Sequence, residues 1–303
     1  MAARFWRWIL GLALALAVAS GAFASRALSL PPLTVPAIAL GVLLAIPVAF
    51  VTLSFLIAQM VADDVEAPGR ARNVARALLS EICEFIVAVL AMSTAHPRRP
   101  AHPLPAAGGV RPVLLLHGIL CNGRVWRALQ SRLHAVGFGP VEALDVEPLL
   151  ADLEIQTRRV ALQLLALQNR CHGERVVIVA HSMGGLIARL LLRDLGAAVI
   201  RRIVTIASPH HGTALVRGLT WPNTRQMSRG SPWLHALNAA QEGRFSVPIA
   251  SIYTREDNLV APADSARLQG AELHELRGVG HLGILRSRRA LERVITTLSQ
   301  DHP

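Results

Sequence analysis

Lysine is absent from this chain of 303 residues, and cysteine and charge are scarce. The three cysteines, Cys83, Cys121 and Cys171, have no paired spacing, which argues against a disulfide framework and a zinc site and favours reduced thiols facing a cytosol. Charged residues make up 17% of the chain and hydrophobic residues 52%, a balance more apolar than that of an ordinary soluble domain. Because much of the apolar excess lies before residue 62, we expect a membrane segment joined to a globular part.

The net charge of +11 comes from 31 basic residues, all of them arginines. They are scattered, with no aromatic-interleaved stripe and no nucleic-acid-binding module, so nucleic acid is not an expected partner. Five of them closely follow the apolar region: Arg70, Arg72, Arg76, Arg98 and Arg99. Basic residues in such positions are attracted to anionic lipid headgroups, although a solvated arginine-rich surface is an alternative.

Two apolar stretches, 5–24 and 36–62, are each long enough to cross a bilayer. The short connection between them predicts a helical hairpin. Arg4 and Arg7 precede the first stretch and further arginines follow the second, so the positive-inside rule places both ends in the cytoplasm. A signal peptide cleaved after residue 24 is an alternative interpretation of the first stretch.

A third apolar stretch, 74–92, is interrupted by Glu81 and Glu84. Carboxylates are unfavourable inside the hydrocarbon of a membrane, so we predict an interfacial or docking helix. If this segment crosses the membrane instead, everything after it lies on the opposite side. The run 96–109, rich in proline, alanine and glycine, is predicted to be a linker.

After the linker, short β-branched or leucine-rich runs alternate with helical patterns. This alternation predicts a mostly parallel sheet with helices on both faces. The predicted strands are 113–117, 175–180, 203–207 and 248–254, and the predicted helices between them include 124–136, 153–170 and 186–195.

The strand that ends at Ala180 runs into His181, Ser182, Met183 and Gly184, after which a helical pattern resumes. A strand, a tight turn with a serine and a helix form a nucleophile elbow, which exposes the hydroxyl to a base near a helix N-terminus. Ala180 stands where this motif usually has glycine. A structural turn serine is the alternative, and the chain order of the residues described next argues against it.

A serine nucleophile needs a base and an acid that orients that base. His281, in a glycine-flanked loop between a short strand and the final helix, is the predicted base. Asp257 follows a predicted strand and precedes the histidine, so it is the predicted acid. Two other carboxylates are close in sequence: Glu256 is adjacent, and Asp264 resembles a helix N-cap. The assignment of the acid is therefore less specific than that of the base.

An oxyanion formed by attack on a carbonyl needs preorganised N–H donors. Ile119, after the first strand of this half, and Met183, after the nucleophile, are the predicted donors. His117, Gly118 and His181 are predicted to shape the adjoining substrate site. Cys121 has no evident histidine partner, so we interpret it as a small buried residue rather than a second nucleophile.

With these motifs in place, residues 110–303 resemble the α/β-hydrolase family, within it the bacterial triacylglycerol lipases and the inositol deacylases that act on GPI anchors. The run Ser208 to Gly212 is similar to their proline–histidine loop, and residues 226–237 look like their cap segment. The resemblance implies an acyl-ester substrate and no cofactor. The family sometimes binds structural calcium, but no carboxylate cluster supports a metal site here.

The segment 213–246 is long for a connection inside a compact fold, which is typical of a lid or binding loop. Its Trp221, Met227 and Trp233 are predicted to contact an acyl chain, with an ordinary packed helix pair as the alternative.

Together these observations predict a membrane anchor with two transmembrane helices at 1–62, an interfacial helix and linker at 63–109, and an α/β-hydrolase domain at 110–303. The expected protein is a serine esterase or lipase of a bacterial-type inner membrane, multi-pass, with its catalytic domain in the cytoplasm. An acyltransferase or thioesterase with the same triad, and a non-catalytic membrane interaction protein, are alternatives. The oligomeric state is not predicted.

Overall fold

The computed structural model describes residues 1–62, 69–94, 111–241 and 243–300. The predicted linker at 96–109, which includes Arg98 and Arg99, lies outside the described residues. Residue 63, where the predicted interfacial segment begins, lies outside them too.

Three helices form the N-terminal part: α1 Ala2–Ala27, α2 Thr34–Met60 and α3 Arg70–Met92. Helices α1 and α2 are each long and apolar enough to cross a membrane. They pack against each other as the predicted hairpin, and a Cβ on Gly21 would lie 2.7 Å from the Val35 carbonyl oxygen, so glycine allows this close approach. Helix α3 packs against α2 through Ala77, which contacts a cluster containing Val51 and Phe55.

Six strands follow, all parallel: β1 Val113–Leu116, β2 Val141–Leu144, β3 Val176–His181, β4 Ile200–Ile206, β5 Ile249–Thr254 and β6 Glu272–Leu276. Their order in the sheet is β2-β1-β3-β4-β5-β6, which places β3 near the centre. The residues of β1, β3 and β5 are buried throughout, as expected of strands covered on both faces.

In the described part of the chain after β1, the α-helices are α4 Arg127–Ala135, α5 Leu153–Arg170, α6 Met183–Leu195, α7 Pro222–Met227, α8 Pro232–Gln241 and α9 Arg288–Ser299. Two hydrophobic cores form on opposite faces of the sheet. One contains the apolar faces of α5 and α6, and the other those of α4 and α9. The predicted α/β architecture with helices on both faces is confirmed.

The two edge strands are where sequence patterns were weakest. Strand β2 has four residues, with a glutamate among them, and was not predicted. Strand β6 is half-exposed, and it was expected only as a short strand before the His281 loop, without bounds. A short edge strand buries little apolar surface and therefore carries little of the alternation that marks a strand.

Candidate active site

The carboxyl ends of the parallel strands bring the predicted site residues to one edge of the sheet. His117 follows β1, Ser182 follows β3, and Asp257 lies three residues after β5. His281 lies beyond β6, in the loop before α9. This is the edge at which open α/β sheets bind ligands.

Ser182 lies between the last residue of β3 and the first residue of α6, with φ 55° and ψ −127°. This conformation is unfavourable for a residue with a side chain, typically by about 1–3 kcal/mol, and persists only where the surroundings enforce it. Here the Ser182 N–H donates to the Ile206 carbonyl of the neighbouring strand, at 2.9 Å. The strained turn holds the hydroxyl at the N-terminus of α6, where the helix dipole favours developing negative charge.

The two glycines after the serine allow α6 to pack closely on the sheet. A Cβ on Gly184 would lie 2.5 Å from the Leu116 carbonyl oxygen, and one on Gly185 would overlap the Ser208 side chain. The small residues of the elbow are therefore required by the close contact between α6 and the ends of β1 and β4.

His281 and Asp257 form a buried pair. The imidazole Nδ1 lies 3.0 Å from both Asp257 carboxylate oxygens. Oδ1 of Asp257 also accepts the backbone N–H groups of Leu259 and Val260, at 2.8 and 2.7 Å. These bonds fix the carboxylate, and the carboxylate in turn keeps the proton on Nδ1 and leaves Nε2 as the basic nitrogen.

The other two carboxylates considered from sequence have different contacts. Glu256 accepts the Gly278 N–H at 2.7 Å, so it holds the start of the histidine loop. Asp264 is exposed and lies 3.5 Å from Arg267. Of the three, Asp257 is the one whose carboxylate contacts the His281 ring.

Gly118 lies against Ser182, and the His181 ring lies against the His281 ring. A Cβ on Gly118 would lie 2.8 Å from Ser182 Cβ and 3.3 Å from its Oγ, and the His181 ring lies 4.6 Å from the His281 ring between centroids. Among the described residues, the Ser182 hydroxyl makes no hydrogen bond to the imidazole. Such bonds are often long without substrate and tighten in the substrate complex.

Comparison with known proteins identifies the architecture. Residues 139–220 match the model of the PGAP1-like alpha/beta domain. The structure is similar to lipase B of Aspergillus fumigatus, with 22% identity and a TM-score of 0.57, over 66% of this chain and 56% of that one. It is also similar to the mature form of lipase BlEst2 of Bacillus licheniformis, with 16% identity and a TM-score of 0.55, over 66% of this chain and 95% of that one. No curated protein is significantly similar in sequence.

This chain has the α/β-hydrolase fold. It spans little more than half the length of the Aspergillus lipase and almost all of the Bacillus lipase. Ser182 lies between a strand and a helix, which is the local arrangement that the sequence motif predicted.

Two histidines of the candidate site have pKa values shifted in opposite directions. Burial tends to lower the pKa of His281, but the charge and hydrogen bond of Asp257, with a further contribution from Glu81, raise it above its ordinary 6.5. Burial and the neighbouring His281 hold the pKa of His181 well below that value. His181 is thus neutral, and its Nε2 donates to the His281 carbonyl at 3.0 Å.

The turn after β1 is held by the His117 side chain. The Val146 N–H donates to His117 Nε2 at 2.9 Å, so Nδ1 carries the proton and donates to the Gly118 carbonyl at 2.8 Å. Met183 is the first residue of α6, and its N–H has no acceptor within the helix. The Ile119 N–H makes no turn hydrogen bond among the described residues. The role of these two N–H groups as oxyanion donors stays a prediction.

The predicted acyl-contacting residues occupy three environments. Trp221 is exposed, Trp233 is partly buried, and Met227 is buried in the core shared with α6. Asn223, at the start of α7, donates to the Met183 sulfur at 3.6 Å. The segment 213–246 therefore reaches the nucleophile through α7, while part of it packs as core. The substrate roles of the three residues stay predictions.

Cys121, close to the turn after β1, is an unreactive thiol. Burial raises the pKa of the Cys121 thiol to about 12, so it stays protonated. In the ranges that the structure describes, no group of three His, Cys, Asp or Glu side chains is placed to hold a metal ion.

Sequence reasoning missed three side chains that hold the site. Asn258 accepts the His281 N–H at 3.0 Å and donates to Ser54 of α2 at 2.8 Å. Glu81 of α3 binds the backbone just after His281. For Glu81, the sequence signal is a carboxylate in the apolar stretch 74–92. By itself this signal argues against a transmembrane span and does not indicate which residues the carboxylate contacts.

Replacing Gly118 by alanine is expected to lower kcat by about 10²-fold, because the added Cβ displaces the oxyanion turn from Ser182 by a fraction of an ångström to an ångström. Steady-state kinetics on a soluble short-chain ester measures the effect. Gly41→Ala is the matched control, since a Cβ there meets nothing within 4 Å. Wild-type kcat in Gly118→Ala would show that the turn is not close to the reacting atoms.

Proposed function

We propose that this protein is a membrane-anchored serine hydrolase that cleaves carboxylic esters, lipid esters in particular, through an acyl-serine intermediate. The observation that carries the proposal is the buried Asp257–His281 pair beside a serine held at φ 55° on a strand-to-helix turn. Strain of this kind at a serine beyond the carboxyl end of a central strand is explained by nucleophilic catalysis.

In the proposed reaction, Ser182 Oγ attacks the carbonyl carbon of the ester while His281 Nε2 takes the hydroxyl proton. The N–H groups of Ile119 and Met183 stabilise the oxyanion. Collapse of the tetrahedral intermediate breaks the bond to the alcohol oxygen, and His281 returns the proton to the leaving alcohol. Water then attacks the acyl-serine by the same steps, releasing the carboxylic acid and restoring Ser182.

The position of the site relative to the N-terminal helices supports a lipid substrate. Trp6 of α1 and Ser54 of α2 contact loops of the site, so the site adjoins one end of the hairpin. The remaining parts, 8–27 and 34–53, have about 20 residues each, or roughly 30 Å at 1.5 Å per residue. This equals the roughly 30 Å hydrocarbon thickness of a bilayer, which would place the site at the membrane surface.

The exposed side chains of the hairpin fit such an arrangement. Trp8, Phe23 and Leu33 are 80%, 75% and 88% exposed, which is unfavourable in water and favourable in lipid. We further propose that residues 1–62 form the anchor in a bacterial-type inner membrane and that residues 110–303 form the catalytic domain. The arginines that flank the hairpin then keep both of its ends, and the catalytic domain, on the cytoplasmic side.

The test uses the full chain in detergent micelles. A fluorophosphonate probe is expected to label Ser182, located by peptide mass spectrometry, and lipid-resolved product analysis is expected to show release of fatty acid. Products with added alcohol, amine or thiol acceptors separate hydrolysis from acyl transfer. A chain that is neither labelled nor active on any ester would instead be a non-catalytic interaction protein.

The pH dependence follows from the raised pKa of His281. The base must be neutral to take the serine proton, so kcat/KM is expected to rise with pH through a value above 6.5 and to reach its plateau on the alkaline side. The measurement is kcat/KM across roughly pH 5 to 9 with an uncharged ester. A profile whose midpoint lies below 6.5 would contradict the role given to the Asp257 charge.

A further inference from the structure

Glu81 places a carboxylate from the N-terminal helices against the loop that carries the proposed base. It lies in the middle of α3 and is 1% exposed. Its Oε1 accepts the Leu282 N–H at 2.7 Å and its Oε2 accepts the Gly283 N–H at 2.8 Å. These are the two residues directly after His281, so one side chain fixes the backbone on the C-terminal side of the imidazole.

The glycines around His281 are shaped to this carboxylate. A Cβ on Gly280 would lie 2.5 Å from Glu81 Oε2 and 2.7 Å from its carboxyl carbon, and one on Gly283 would lie 3.2 Å from Oε2. Neither glycine has a positive φ, so backbone freedom does not explain them. The close approach of the Glu81 carboxylate explains why both positions are glycine.

A buried carboxylate is unfavourable unless it is bonded, and an apolar side chain would fill the same place at lower cost. Glu84, one turn further along α3, is the contrasting case: it is 25% exposed and pairs with Arg286 at 3.1 Å. The groups that face Glu81 are the N–H donors of residues 282 and 283 and the charges of His281 and Asp257. No arginine is among them.

We infer that Glu81 is a positioning residue for His281, which holds the loop 280–283 in place and adds a second negative charge near the imidazole, so that α3 takes part in catalysis. The inference rests on the proposed function. When His281 accepts the Ser182 proton it becomes a cation, and the Glu81 charge stabilises that cation together with Asp257. Glu81 itself neither gives nor takes a proton in the reaction.

The electrostatics agree with this geometry. Burial raises the pKa of Glu81 to about 7, against the two N–H bonds and the positive charge of His281, which lower it. Ionised Glu81 in turn raises the pKa of His281. An ionised Glu81 and a protonated His281 therefore stabilise each other. His281 becomes protonated when it takes the Ser182 proton during attack.

The other two N-terminal helices hold neighbouring loops in the same way. Trp6 Nε1 of α1 donates to the Leu120 carbonyl of the oxyanion turn at 2.7 Å. Ser54 of α2 accepts from Asn258, which accepts the His281 N–H. Helices α1, α2 and α3 thus each contact a different loop of the site. The Glu81 contact is one of several that hold the N-terminal helices against these loops.

The experiment compares Glu81→Gln with Glu84→Gln in the full chain in detergent micelles. Glutamine keeps the shape and one acceptor oxygen but removes the charge. We expect Glu81→Gln to lower kcat by about 10- to 100-fold with little change in KM. We also expect it to lower the pKa of His281, followed by NMR of ¹⁵N-histidine-labelled protein and assigned with a His281→Gln sample. Glu84→Gln is expected to match the wild type in both.

Glu81→Asp is the second variant, used also if Glu81→Gln does not fold. It keeps the charge but withdraws the carboxylate by one methylene, so kcat is expected to fall while the pKa of His281 changes less than in Glu81→Gln. A folded variant at position 81 with wild-type kcat and an unchanged His281 pKa would overturn the inference, as would an equal loss in Glu84→Gln.

The two readouts also separate this inference from the proposed function. If the wild type turns over no ester while the His281 pKa still falls in Glu81→Gln, the ester hydrolase proposal fails but the coupling of Glu81 to His281 stands. If the wild type is active and the variants change neither quantity, the hydrolase stands and the positioning role fails.

Discussion

Ester hydrolysis by the full chain is expected to fall by about 10⁵-fold or more in kcat when Ser182 is replaced by alanine. The substitution removes the nucleophilic hydroxyl but leaves the oxyanion donors and the binding surface. The remaining rate enhancement therefore comes from these two alone. The fold is expected to survive, because alanine occupies the same turn with one atom fewer. Steady-state hydrolysis of a soluble ester and of lipid vesicles, with thermal unfolding measured in parallel, gives both quantities.

Ser131→Ala is the control, since Ser131 is exposed on α4, away from the site. Its kcat is expected to equal that of the wild type. Hydrolysis that persists unchanged in Ser182→Ala would mean that a different group, or a contaminating esterase, carries the activity, and the acyl-serine mechanism would be wrong.

Replacing Asp257 by asparagine is expected to lower kcat by about 10⁴-fold. Oδ1 of Asp257 accepts the N–H groups of Leu259 and Val260, so the amide oxygen of asparagine is expected to take that place. The amide NH₂ then occupies the position of Oδ2, 3.0 Å from His281 Nδ1. An NH₂ group at that position donates, so it favours an Nδ1 that accepts and an imidazole proton on Nε2.

An imidazole protonated at Nε2 cannot take the serine proton, which is the physical reason for the large loss. Asp264→Asn is the matched control, because this exposed carboxylate was the other aspartate considered from sequence. It is expected to keep wild-type kcat. The reverse result, loss in Asp264→Asn and activity in Asp257→Asn, would transfer the acid's role to residue 264.

Much of the fold was predictable because its signals are local. The strand-to-helix turn at Ser182 carries small residues and periodic patterns on both sides, and the buried central strands read as continuous apolar runs. The four predicted strands correspond to β1, β3, β4 and β5. The edge strands β2 and β6 gave weaker signals, because their residues are shared between core and solvent.

The sequence by itself determined the architecture and the strand-to-helix turn at Ser182, because each depends on residue types and spacings within short segments. It also gave the chain order of the candidate serine, acid and histidine. The choice among Glu256, Asp257 and Asp264 needed the tertiary structure, since neighbouring carboxylates of similar pattern differ only in what they contact. The role proposed for Glu81 also needed the tertiary structure, because its hydrogen bonds join residues about 200 positions apart. A contact of that kind leaves no periodicity in either segment, and only packing of α3 on the histidine loop brings it about.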